Sequence, residues 1–205
     1  MTDRSTQFWD KVAERYAARP IKDIAAYEAM LSDAASWLSS TDEVLEIGCG
    51  TGGTAIRLAP HVTRWRATDG SAEMIRIARA KAAPQNLDFV VADAERAFEG
   101  GPFDVICAFL VLQLVPDMRG TLQTIHRQLK PGGLLISKTY CFRDMNFVMR
   151  RLVIPSLQVA GFIPRFAVLR NAELRRAITD AGFTIEASHV FGTNQHAHYI
   201  VARKA

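Results

Sequence analysis

A chain of 205 residues, 22% charged and 49% apolar, has the length for one domain with a sizeable core and the composition of a globular protein. Its formal charge of +4 is too slight to demand a nucleic acid or an anionic membrane as partner, and no Lys/Arg run or RNA-module signature adds to it. Three widely spaced cysteines, Cys49, Cys107 and Cys141, fit free thiols in a reducing cytoplasm; the polar N-terminus lacks a signal peptide's apolar core, and the apolar stretch 105–115 is too short to cross a bilayer.

Two helical patterns come first. Phe8, Trp9, Val12, Ala13 and Tyr16 recur at helical spacing, and Pro20 interrupts before a second run over 22–38. Strands and helices then alternate: strand Glu43–Ile47, helix 53–59, strand 64–68, and helix 71–82 with Ser71 as N-cap. Strands over 87–92 and 103–109, a helix over 117–129, a Lys130-Pro131-Gly132-Gly133 turn that stops it, and a buried strand over 134–139 follow. This alternation predicts a parallel sheet with helices on both faces. The strand-like segments 183–191 and 196–202 are joined by only Gly192 to Gln195, which forces an antiparallel hairpin. The expected architecture is α/β: a doubly wound, Rossmann-like seven-stranded sheet, mostly parallel with the last strand antiparallel.

Between the first strand and its helix lies Glu46-Ile47-Gly48-Cys49-Gly50-Thr51-Gly52-Gly53. Glycine tolerates positive φ and lets a ligand lie against backbone N–H groups, and such a turn at the carboxyl end of a strand is where open α/β sheets hold nucleotide-like cofactors. A Walker loop needs a Lys-Ser/Thr pair, which is missing. Gly48, Gly50 and Gly53 meet the dinucleotide spacing, so a nicotinamide enzyme stays open on the glycines alone. The carboxylate of Glu46 suits a cofactor with an ammonium and a sulfonium better than one with two phosphates.

Five segments in register resemble the class I S-adenosylmethionine-dependent methyltransferases. They are EIGCGTGG at 46–53, ATDGS at 67–71, VADAE at 91–95, FDVICAFLVLQLVPD at 103–117 and LKPGG at 129–133; the terminal hairpin matches as well. The resemblance implies S-adenosylmethionine as cofactor and S-adenosylhomocysteine as product. It implies that Gly48, Cys49, Gly50 and Gly52 lie against the methionine part and Glu46 near the ammonium. Asp69, at the end of the second strand and followed by Gly70, is placed to accept both ribose hydroxyls, or alternatively to cap the helix that follows. Asp93 and the backbone of Ala94 would meet the adenine amino group, Met74 would pack on adenine or ribose unless it is plain core, and Phe109 would face the reactive end.

The departures are informative. Phe109-Leu110-Val111 stands where enzymes that methylate amino groups of bases or glutamine carry Asn/Asp-Pro-Pro-Tyr, and Gln113-Leu114 where relatives often have a His pair. No residue declares itself a general base, so no catalytic residue is expected and the protein's task is alignment and exclusion of water. The chain is read as one domain, 1–205. Within it 1–40 is a helical lid in which Trp9 and Tyr16 close over the cofactor or simply pack on the sheet, and 41–140 is the cofactor-binding part. Residues 141–170 are an inserted acceptor-side lid, and 171–205 hold the last helix and hairpin. The insertion is apolar and carries Arg143, Arg150, Arg151, Arg165 and Arg170 against the single acid Asp144, with Pro155 and Pro164 breaking it. That composition suits a small apolar, amphiphilic or anionic acceptor and shallow contact with a membrane surface. No nucleic-acid partner and no metal are expected. A regular hairpin would set His189 opposite His198, near His196, a weak candidate for a metal site. RNA or protein methyltransferases, an NAD-dependent dehydrogenase and a non-catalytic nucleotide-binding protein remain alternatives.

Overall fold

The computed structural model describes residues 3–92, 96–144, 149–153, 156, 158, 166–193 and 195–205. Seven strands form one sheet: β1 Glu43–Ile47, β2 Arg64–Asp69, β3 Leu87–Val91, β4 Phe103–Phe109, β5 Leu129–Tyr140, β6 Phe183–His189 and β7 Ala197–Lys204. Their order is β3-β2-β1-β4-β5-β7-β6. The β1, β2, β3, β4 and β5 pairings are parallel, and β7 runs antiparallel to both β5 and β6. The expected sheet is therefore observed, including its antiparallel last strand. Strand order reverses between β1 and β4, and this opens a crevice beyond their carboxyl ends.

Both sheet faces are covered, which is why the central strands are apolar on successive residues rather than alternating. On one face α2 (Ile24–Ser36), α3 (Gly53–Leu58) and α4 (Ala72–Arg79) pack Met30, Leu58 and Ile75 against Val44, Trp65, Val105, Ile136 and Tyr199. On the other, α5 (Met118–Gln128) and α6 (Asn171–Asp180) pack Leu122, Ile125, Leu174 and Ile178 against Leu45, Ile106, Leu135 and Ile200. The first helix, α1 (Asp3–Ala17), lies outside α4. Among the described residues no helix is long and apolar enough to cross a membrane.

Two expectations need correction. The Lys130–Gly133 segment does not separate the helix from its strand. Leu129 already pairs with Phe103, and Leu134 resumes opposite Val105, so the four residues between bulge out of β5, with Gly132 at φ 75°. The C-terminal hairpin forms, but its register is not regular. Ile185 faces Ala202 while Ala187 faces Val201, so Glu186 is an extra residue on β6. Glu186 is held there by the Arg203 guanidinium, which also donates to the carbonyl of Gly132 at 2.9 Å. The extra residue moves His189 opposite Tyr199, while His198 pairs with Thr139 on β5. The imidazoles of His189 and His198 thus fall on opposite faces of the sheet.

At the amino edge of the sheet, one carboxylate joins three elements: Asp104 on β4 accepts from the Glu43 N–H of β1 and from Lys130 in the bulge, each at 2.8 Å. Asp104→Ala leaves that N–H without its partner and should lower stability by about 1–3 kcal/mol in urea denaturation, with no change in ligand binding at the far end of the sheet.

Candidate functional site

The site is built where β1, β2 and β4 end. Parallel register sets Ile47 level with Thr68, so the loop after β1 and the loop after β2 leave the sheet side by side. Backbone bonds fix the first loop: the Cys49 N–H donates to Thr68 O at 2.9 Å and the Gly52 N–H to Cys49 O at 3.0 Å. Asp69 then joins the two loops. One carboxylate oxygen accepts from Gly50 N at 2.9 Å and the other from Ser71 N at 2.8 Å. Asp69 thus braces the start of α4, as its capping reading expects, while each oxygen keeps further acceptor capacity. Burial raises its pKa above the ordinary carboxylate range, the two backbone donors oppose this, and the nearby Asp10 carboxylate adds to the rise.

The loop glycines do different things. A Cβ on Gly48, at φ 67°, would sit 2.5 Å from Val111 of the β4 tip. A Cβ on Gly52, at φ 75°, would collide with the Phe89 ring at 2.5 Å, so this glycine lets helix, strand and loop close on one another. Gly50 alone of the three faces open space, with only the Tyr16 ring near, at 3.9 Å. A cleft of about 450 Å³ opens here, lined by Gly48, Asp69, Gly70, Ala92, Phe98, Val111 and Val115 among others.

Glu46 lies beneath the loop, 2% exposed, and accepts from the indole N–H of Trp65 at 3.1 Å. Burial pushes its pKa up to about 8; the indole bond opposes this, and the Asp69 charge adds to it. Cys49 is also buried, and desolvation first, then the charges of Glu46 and Asp69, hold its thiol well above the usual range. It is a packed thiol and not a nucleophile. Met74 is 2% exposed, and its N–H is capped by Ser71 Oγ at 3.1 Å, as the sequence expects of Ser71. Phe109 is partly buried and packs toward α2, on the other sheet face from Val111. Asp93 and Ala94 lie outside the described residues, as do Pro155, Pro164 and Arg165 of the insertion.

Helix α1 lies beside the glycine loop. Trp9 and Tyr16 share a face, with rings edge-on at 5.8 Å. Tyr16 reaches over Gly50; its phenol titrates high because its hydroxyl end is desolvated and then because Asp69 is near. Asp10 carries no signal in the sequence pattern; it accepts from Ser71 Oγ at 2.6 Å and from Glu73 N at 3.3 Å and so docks α1 on the start of α4. Glu14 pairs with Arg76 alongside. Trp65 was also missed, although strand parity, which puts it on one face with Asp69, could have found it.

The β4 tip carries a backbone irregularity. Leu110 has φ 58°, unusual for a branched side chain. It is held from both sides: its N–H donates to Lys138 O, and its carbonyl accepts from Gln113 Nε2, each at 2.6 Å. The insertion returns to the same point, since the Ala167 N–H donates to Gln113 O at 2.7 Å and the rings of Phe142 and Phe166 stack at 3.9 Å.

This arrangement, a glycine loop and an acid-tipped second strand at a sheet's switch point, is a nucleotide-like cofactor site on a seven-stranded α/β sheet. The comparisons agree with it. The family described as "Methyltransferase domain" matches residues 11–188, and the chain belongs to that family. It is 36% identical over 122 residues to a trans-aconitate 2-methyltransferase of Azoarcus sp., covering 57% of this chain and 43% of that protein. It is 28% identical over 156 residues to a ubiquinone biosynthesis O-methyltransferase of Methylobacterium sp., covering 69% and 59%. The match thus spans less than two thirds of the length of each of these relatives. The same fold is seen in the N-methyltransferase NodS of Bradyrhizobium japonicum in complex with S-adenosyl-L-homocysteine, with TM-score 0.70 and 18% identity, covering 98% of this chain and 99% of that one.

The carboxyl of Glu46 gives a pH test. Its pKa in the fold, about 8, lies above the unfolded value of 4.5, so its contribution is full below pH 4.5 and is lost as pH rises toward 8. Glu46→Gln escapes that loss. Relative to wild type, the variant should gain stability between about pH 5 and pH 8, by on the order of a few kcal/mol in urea denaturation.

Proposed function

We propose that this domain is an S-adenosylmethionine-dependent methyltransferase acting on a small apolar or amphiphilic acceptor. The observation that carries the reading is Asp69, which joins the two cofactor-side loops at the mouth of an open cleft. The residues present fit the cofactor: the space left at Gly50 admits the methionine part, and Asp69 retains acceptor sites for two ribose hydroxyls. Glu46, buried beneath the loop, is the carboxyl group nearest the loop in sequence for the ammonium end, and Phe98, Val111 and Val115 give apolar walls for adenine. Bound S-adenosylmethionine supplies a methyl group that its sulfonium makes electrophilic.

What the chain itself supplies is placement and dryness. Asp69 and the loop backbone orient the cofactor, Tyr16 and α1 cover it, and the Leu110 turn shapes the side from which an acceptor approaches. We assign no general base and no catalytic residue. The relatives' printed names, a trans-aconitate and a ubiquinone-pathway enzyme, support a small-molecule acceptor. The stacked Tyr140, Phe142 and Phe166 rings and exposed Leu152 and Val168 support an apolar approach through 141–170, read as the acceptor-side part of a single domain. The same exposed residues favour shallow contact with an amphiphile's surface. Three buried free thiols fit a reducing cytoplasm.

Calorimetric titration with S-adenosylhomocysteine, and with NAD in parallel, tests this reading. Wild type should bind the former alone, and Asp69→Ala should weaken binding by about 10- to 100-fold, the worth of charge-assisted bonds to two hydroxyls. Binding of NAD alone would overturn the assignment.

A further inference from the structure

One cation on the acceptor side has no use in the account so far. Lys138 lies on β5 in a row that crosses four strands at the carboxyl end of the sheet. Phe109 of β4 and Tyr199 of β7 are its direct neighbours, and His189 of β6 is next beyond Tyr199. Directly paired residues share a face, so the Lys138 side chain leaves the sheet on the same face as Phe109 and Tyr199, at the register position between them. Tyr140 is two residues on along the same face and begins the ring stack that continues through Phe142 to Phe166. Phe109 ends β4, the strand whose tip is placed at the reactive end of the cofactor.

The other lysines near the sheet have partners. Lys81 donates to Thr51 O at 2.6 Å, Lys130 pairs with Asp104 at 2.8 Å, and Lys204 donates to Leu129 O at 2.6 Å. The Lys138 ammonium makes no hydrogen bond or ion pair among the described residues, although the residue is partly buried. Its burial is enough to lower its pKa, opposed only by the Asp23 charge. The Asp23 carboxylate is engaged elsewhere, capping α2 through Ala26 N at 3.0 Å. A partly desolvated ammonium without a directly bonded counter-ion is costly, and it is the arrangement expected where a ligand brings one. The sulfonium of the proposed cofactor adds a second positive charge at the same end of the sheet. An anionic acceptor is drawn by both.

Resting on the methyltransferase reading, we propose that Lys138 is a specificity-determining residue that binds the carboxylate of an apolar, carboxylate-bearing acceptor beside the tip of β4. The aromatic row takes the apolar body and the ammonium takes the acid. Tyr199, wholly buried, is a wall and not a second polar contact. The backbone of Lys138 has a separate task, accepting from Leu110 N, which side-chain substitution leaves in place.

The test uses the full chain saturated with S-adenosylhomocysteine and titrated with decanoate, 4-hydroxybenzoate and the amide of each. Wild type should bind at least one acid about tenfold or more tightly than its amide, the worth of one charge-assisted bond. Lys138→Met, which keeps the stem and removes the charge, should bind acid and amide alike with its S-adenosylhomocysteine affinity intact. Lys138→Arg should keep the preference for the acid. The proposal is overturned if wild type does not distinguish acid from amide, if neither acid binds at millimolar concentration, or if Lys138→Met keeps the wild-type preference. A wild type that fails to bind S-adenosylhomocysteine sinks the methyltransferase reading itself, and the proposal with it.

Discussion

A carboxylate placed at the end of a buried strand must find donors, because an isolated buried charge costs far more than the fold can spare. Asp69 finds two, the N–H groups of Gly50 and Ser71, and much of the site follows from that. The parallel pairing of β1 with β2 brings the two loops level, and Asp69 then locks them. With Ser71 fixed at the start of α4, its hydroxyl is free to donate to Asp10 while its oxygen caps Met74. A short chain of polar bonds thus runs from the glycine loop through the second strand's end to the covering helix. Moving any member disturbs the others, which makes the loop a braced support and not a flexible lip.

The same region holds the least comfortable groups of the protein. Glu46 has one indole donor and lies under a second acid, and Leu110 occupies a backbone region that branched side chains avoid. Both stand at the carboxyl end of the sheet, where an added cation or an approaching acceptor would meet them. Away from that end the residues behave as a plain core, with Leu45, Trp65, Ile106 and Leu135 fully buried. Strain and unsatisfied charge gathered at one end of an otherwise well-packed sheet are what stability given up for binding looks like.

Sequence pattern carried the strands, their parallel alternation and the final hairpin, because apolar runs bounded by glycine-rich turns leave few other packings. It also carried Ser71 as the cap of α4 and the bond from its N–H to Asp69, because both depend on neighbours close in sequence. What it could not carry depends on distant partners. Asp10 looks like any polar position of a surface helix until α4 is seen beneath it. The burden on Glu46 appears only once Trp65 and Asp69 are folded around it, and the different duties of Gly48, Gly50 and Gly52 follow from what each would strike, namely Val111, nothing, and Phe89. The Lys130–Gly133 bulge and the extra Glu186 escaped because a bulge shows only against the partner strand, which a single strand's own pattern does not reveal.

Glu186 has a consequence beyond its own turn. Strand side chains follow a parity, and one surplus residue reverses it for everything downstream on β6. Without the bulge, with Glu186 itself paired, the ladder would run evenly, His189 would stand opposite His198, and two imidazoles would share the face that now carries Thr139 and Ile200. With it, His189 joins Tyr199, Lys138 and Phe109 in one row. One bulge therefore separates an aromatic floor with one cation from the beginnings of a histidine cluster, on an unchanged set of residues.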